Sequence, residues 1–289
     1  MSLGVLLWLS GIVTQAQVAS HVQGIQEGTR SRPSTQPDTL KLDRYVRDAC
    51  GTHPLIRIQA ARRVVRAGER GFEACLRFIR ANGRQALSAD LVQALGNFSL
   101  GSSRKLLREL VADPEFIWRP QAMRGLAMHP TRDEEAILEA GLGNPSWLVR
   151  REAMTGWTRL MRDAARKALH QALADVDLRV RVHAAGLLLE QQDDSGLQVL
   201  VDALDAEEEF FGEDFGLRVR RRAFGLLRKR AGEDKGYDAL APREARRAAV
   251  SAFRSWASLS AEGPGDPGSV QPVQAHDWRM GYERRSCRL

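Results

Sequence analysis

The chain is 289 residues long and carries 43 basic and 36 acidic side chains, for a net charge of +7 and a pI near 9.8. That length holds one elongated repeat domain, or one or two ordinary ones, and is enough to bury a sizeable core. A basic balance suits nucleic acid, anionic head groups or acidic polymers, but here the carboxylates are interspersed with the arginines. Charge alone therefore points first to solvated helix faces with mixed ion pairs. Of the basic residues 38 are Arg and 5 are Lys, a skew that reflects a GC-rich genome as much as selection for bidentate contacts.

The chain opens with "MSLGVLLWLSGIVTQAQ", where Met1 to Ala16 carry no charged side chain and Leu3 to Val13 are largely apolar. Thr14 and Ala16 fit the −3 and −1 positions of a cut before Gln17, so residues 1–16 read as a secretory signal peptide and the protein as exported, periplasmic or secreted. The segment lacks Lys or Arg ahead of its apolar run. Eleven residues are short for a bilayer, which leaves a membrane anchor at residues 3–13 as one alternative and an N-terminal helix of a cytoplasmic protein as another. No other stretch is long and apolar enough to cross a membrane, so no span is expected after cleavage. Residues 17–38 are rich in Gln, Ser, Thr, Gly and Pro and read as a flexible leader.

Cys50, Cys75 and Cys287 form neither a CxxC pair nor a zinc spacing, and no structural metal is expected. In an exported chain Cys50 and Cys75, each near a predicted helix end, are placed to bridge the first two helices; otherwise they are small buried hydrophobes with free thiols.

Residues 39–258 show helical periodicity almost throughout, with no convincing period-two run. Aligned on an alanine, the segments "LIRIQAARRV", "DLVQALGNF", "WRPQAMRGL", "VRREAMTGW", "VRVHAAGLL" and "VRRRAFGLL" place Ala60, Ala94, Ala122, Ala153, Ala184 and Ala223 at offsets of 34, 28, 31, 31 and 39 residues. A helical unit repeating near every thirty residues predicts an all-α α-solenoid of about six stacked antiparallel helix pairs. In one unit "PSWLVRREAMTGWTRLM" is the first helix and "ARKALHQALAD" the second. Gly125, Gly156, Gly186 and Gly225, just past the core alanine, are expected to let neighbouring helices approach closely. Gly and Pro in "SAEGPGDPGS" end the last helix, and residues 259–289 read as a linker and tail carrying Trp278, Met280 and Tyr282.

The "VRxxAxxxL" core, clearest in "NPSWLVRREAMTGWTRL" and "DVDLRVRVHAAGLLLEQQDDSGLQVLVDAL", resembles HEAT repeats of the short type also found in phycobilin lyases, over about residues 54–256. The first two units depart from the pattern, as terminal repeats do. The resemblance speaks for architecture more than for function. It implies a ladder of polar contacts between repeats, built from Arg57, Arg119, Arg150, Arg181 and Arg220, three residues before their alanines, with Asp113, Asn144, Asp177 and Asp214 a few residues earlier. Arg151, Arg179, Arg218, Arg221 and Arg222 fall outside that register and are the candidate contacts to a partner. The insertion "DAEEEFFGEDFG" at 205–216 adds Phe210 and Phe211 as partner-binding candidates; its acids do not have the spacing of an EF-hand loop.

No HExxH, GxSxG, P-loop or CxxC occurs, and the six histidines are scattered. The di-iron hydroxylases among HEAT-like proteins carry His-Glu pairs, and this chain has no "HE" dipeptide. No catalytic residues, cofactor or metal are therefore assigned. The leading expectation is a non-catalytic scaffold or adaptor whose concave face, lined by second helices, binds a protein or an anionic polymer. Nucleic acid is not the expected partner of an exported chain. The alternatives are a HEAT-like DNA-binding enzyme resembling the alkylpurine glycosylases, which would use Trp118, Trp147 and Trp157, and a protein resembling the chromophore lyases.

Overall fold

The computed structural model describes residues 35–206 and 215–261, all helical or in short connections, with no strand among them. The signal segment, most of the leader, Phe210, Phe211, Asp214, Cys287 and the tail from residue 262 lie outside the described residues. The chain divides into two compact units, one ending at His129 and one beginning at Pro130.

The first unit contains α1 (Thr35–Ala49), α2 (Pro54–Arg66), α3 (Glu69–Asn82), α4 (Ala89–Leu95), α5 (Gly101–Ala112) and α6 (Arg119–Met128). Helix α1 begins four residues inside the segment read as leader. Pro54 and Pro120 sit in first turns, where a missing N–H costs no intrahelical bond. Ser88 caps α4, accepting from the Leu91 N–H at 3.1 Å and donating to the Ala49 carbonyl at 2.6 Å. Gly83 ends α3 with φ +82, a conformation that L side chains resist. Helix α2 packs on α1, α3 and α4, and α4 on α6. The core-alanine helices α2, α4 and α6 thus touch in succession. At the α4–α6 crossing the backbones meet: a Cβ on Gly96 would lie 2.6 Å from Gly125 Cα.

The second unit contains α7 (Glu135–Leu142), α8 (Trp147–Met161), α9 (Arg166–Ala172), α10 (Leu178–Glu190), α11 (Leu197–Ala203), α12 (Phe215–Ala231) and α13 (Arg243–Ala261). The core-alanine helices again touch in succession, α8 on α10 and α10 on α12. Helix α9 contacts α8 and α10, and α11 contacts α10, α12 and α13. A 3-10 turn leads into each of α7, α9 and α11. The first of these is closed by Glu134, whose carboxylate accepts from both the hydroxyl and the N–H of Thr131. A large apolar cluster joins α10 to α13 through Val182, Leu200, Val219, Leu227 and Phe253, and Tyr237 donates into it to the Leu204 carbonyl at 2.7 Å.

Five of the six aligned alanines are buried: Ala60, Ala122, Ala153, Ala184 and Ala223. Ala94 is only half-buried, and Leu91 and Leu95 fill the interior of α4 instead. Of the aligned glycines, Gly125 and Gly186 meet leucine side chains at 3.1 Å, but Gly225 faces open space.

Candidate functional site

The ladder arginines point mainly to backbone. Arg150 donates to the carbonyls of Asn144 at 2.9 Å and Pro145 at 3.0 Å, holding the turn from which its own helix starts. Arg181 does the same with Asp175 and Val176, Arg119 with Val111, and Arg220 with Ala206 and Ala239. Two add a carboxylate from further along the chain. Arg150 forks onto both oxygens of Asp175 at 2.7 and 2.8 Å, and Arg57 reaches Asp90 at 2.7 Å. Both turn and partner belong to the same compact unit in each case.

The acids expected to face these arginines do other work. Asp113 accepts from the Glu115 N–H, Asn144 from the Ser146 N–H, and Asp177 from the Arg179 N–H. A short polar side chain two residues before an N–H closes a local turn more readily than it reaches across a helix. Asp177 also pairs with the Arg179 side chain. Burial pushes its carboxyl up, but the hydrogen bonds and charge of Arg179 outweigh this and hold it below the usual range.

The arginines outside the ladder register split into two groups. Arg179 lies 3.5 Å over the Trp147 ring, and Arg151 lies 5.2 Å from the same ring while pairing with buried Glu152. Both guanidiniums are thus engaged within the unit. Arg218, Arg221 and Arg222 are exposed on α12. Trp157 is buried, and Trp118 is half-buried just ahead of α6.

Arg222 belongs to a groove of about 650 Å³ in the second unit, lined by Thr155, Thr158, Arg159 and Arg162 from α8 and its exit, Asp163 beyond it, and His183, Leu187, Glu190 and Gln191 along α10. The groove thus lies on core-alanine helices, not on the second helices where a binding face was expected. Thr155 and His183 meet at 2.7 Å across α8 and α10. Burial, with Arg151 and Arg222 nearby, pushes the His183 imidazole down to about 3, so it is neutral at pH 7.

Thr158 and Gln191 line the groove with other atoms, while Thr158 Oγ1 and Gln191 Oε1 are buried beneath it without a hydrogen-bond partner. Arg162 stands at the lip with φ +47, an unusual conformation for a residue with a Cβ. Among the described residues, Arg162, Asp163, Glu190 and Arg222 have no ion-pair partner. Elsewhere charges pair readily, as in Arg77 with Asp43, Arg230 with Asp194 and Arg243 with Asp205.

Cys50 and Cys75 are free thiols near one another. Burial, and then the neighbouring Cys50, push the Cys75 thiol up to about 12, an inert thiol at neutral pH. No group of His, Cys, Asp and Glu suited to holding a metal occurs among the described residues.

No protein-family model matches the chain, and no curated protein matches it.

Of the groove residues only Arg222 stood out by sequence. The signal for His183 is the position one before each core alanine, occupied in turn by Gln59, Gln93, Gln121, Glu152, His183 and Arg222. A polar residue there in every unit marks a polar row along the core-alanine helices. In the second unit that row is amplified by Thr155 and Thr158 on the same side of α8.

Proposed function

We propose that the chain is a HEAT-like α-solenoid acting as a non-catalytic scaffold, and that it holds a protein partner in the groove of the second unit. The carrying observation is that this groove gathers Arg162, Asp163, Glu190 and Arg222, charges of both signs that have no ion-pair partner among the described residues. Unpaired charges of mixed sign suit the mixed charges of a protein surface. Supporting the solenoid are the successive contacts of core-alanine helices within each unit and the arginines that tie turn to turn.

The charge around the groove favours protein over polyanion. Arg159, Arg162 and Arg222 attract acids, but Asp163 and Glu190 stand among them and would repel a row of phosphates. The DNA-enzyme reading draws less support, because Trp157 is buried and Trp147 is covered by Arg179, which leaves half-buried Trp118. A filter-binding titration of the full chain against duplex DNA is the test. The expected affinity is no tighter than the roughly micromolar range of nonspecific contacts; nanomolar binding would overturn the proposal.

Export by residues 1–16 is part of the same proposal. It predicts that the mature chain begins at Gln17 by intact mass, and an uncleaved chain recovered from the cytosol would contradict it.

A further inference from the structure

We infer that the outward face of α2, in the first unit, docks the protein on an anionic lipid surface. This contact uses none of the groove residues and adds a membrane surface to the partners of the chain.

The positive charge of the chain is concentrated ahead of His129. Residues 35–129 carry 16 basic and 9 acidic side chains, whereas residues 130–261 carry 21 and 22. Within that basic unit α2 exposes Leu55, Ile56, Ile58, Arg62, Arg63 and Arg66, and the three aliphatic residues are 66%, 50% and 40% accessible. At 3.6 residues per turn these six positions fall in an arc of about 160°, so they form one face. Ala60, Ala61 and Val64 are buried on the opposite side.

The acids around this face are already occupied. Asp38 pairs with Arg70 at 3.5 Å, Asp43 with Arg77 at 2.7 Å, Asp48 with Arg44 at 3.8 Å and Asp90 with Arg57 at 2.7 Å. Arg62, Arg63 and Arg66 have no ion-pair partner among the described residues. Arg63 lies 5.1 Å over the Tyr45 ring of α1, a contact that leaves its charge unneutralised. Lys41, one turn before Tyr45, adds an exposed cation, and the exposed Glu69 at the start of α3 offsets only one of the four.

Aliphatic and cationic side chains on one helix face match the two layers of an anionic bilayer surface. Head-group phosphates take the arginines, and Leu55, Ile56 and Ile58 enter the acyl boundary. An exposed arc this wide makes the face a ridge that neither α1 nor α4 walls in. Lipid deforms around a ridge, whereas a folded protein needs a matching groove. A nucleic-acid strand would use the arginines and leave the aliphatic residues in water. Helix α12 also exposes Arg221, Arg222, Arg228 and Lys229, but none of its described large aliphatic residues is exposed and its unit has no cationic excess.

The experiment is co-sedimentation of the full chain with vesicles of phosphatidylcholine alone and with vesicles containing phosphatidylglycerol as well. Residues 1–16 are common to parent and variants, so differences between them report α2. The anionic vesicles are expected to bind about a hundredfold more tightly, roughly fivefold for each of three arginines, and less so as salt rises. Replacing Arg62, Arg63 and Arg66 together by Gln is expected to abolish that preference. Leu55→Ser with Ile56→Ser is expected to weaken binding to the anionic vesicles at least about tenfold. Arg221→Gln, Arg228→Gln and Lys229→Gln together remove the same charge from α12 and are expected to leave the preference in place. All these side chains are exposed, so each variant is expected to keep the Tm of the parent within error.

Equal binding to the two vesicles overturns the inference. So does an equal loss from the α12 variant, which would make the attraction a matter of net charge. Binding indifferent to Leu55 and Ile56, with duplex DNA held by the same three arginines, also overturns it and puts nucleic acid in place of the membrane.

Discussion

Arg150 and Arg151 are neighbours in sequence with different duties. Arg150 and Asp175 are 11% and 13% exposed and joined by a two-bonded fork, and Arg150 also satisfies two turn carbonyls. Removing one member of a largely buried pair strands the other, so Arg150→Ala is expected to cost about 2–4 kcal/mol in a urea titration, and Arg150→Lys a good part of it. Its structural role follows the repeat register; the identity of Asp175 as its partner does not. Nothing in the spacing distinguishes an acid that closes its own turn, as Asp177 does, from one that reaches back to a ladder arginine. Arg151 looked free for a ligand because a lone sequence shows neither the Trp147 ring nor the Glu152 carboxylate folding back against it.

His183 carries a pH signature. Its folded value, about 3, lies below the unfolded 6.5, so below pH 6.5 the unfolded state takes up a proton that the folded state refuses. Stability should fall as pH drops from 6.5 toward 3, with a limiting slope of about 1.4 kcal/mol per pH unit. Asp177 and Asp193 are held low and lose their contribution only below the usual carboxylate range, outside a pH 7 to 5 comparison. Urea midpoints at pH 7 and pH 5 should therefore differ more for the parent than for His183→Gln. An equal difference would show that His183 is not held neutral.

At the scale of helices, two glycines in the same general register should respond oppositely to alanine. Gly96→Ala drives a Cβ into the Gly125 backbone at about 2.6 Å, where nothing flexible can yield, and is expected to destabilise by about 2 kcal/mol or more. Gly225→Ala meets nothing within 4 Å inside α12 and is expected to stabilise by about 0.5–1 kcal/mol. Thermal or urea denaturation checks both. The helices themselves were legible because burying a stripe imposes a 3.6-residue period, and the second unit's α8 and α9 fall within the segments assigned to them. Helix α4 was misaligned by its alanine: Leu91 and Leu95 carry the packing there, and a short degenerate helix gives too few apolar positions to fix the register.

At the scale of the molecule, the separation of structural from recognitive chemistry is the main proposition. Arginines of the ladder tie turns together, while the position one residue before each core alanine holds polar side chains that range from exposed Gln59 and Arg222 to buried Glu152. The sequence expectation places the binding face on second helices; repeat number and period say which residues are equivalent but not which face remains uncovered. Urea denaturation of Arg150→Ala beside Arg222→Gln separates the two roles most directly. Arg150→Ala is expected to lose about 2–4 kcal/mol and Arg222→Gln to stay within error of the parent. Equal losses would contradict the division and make Arg222 a structural residue like Arg150.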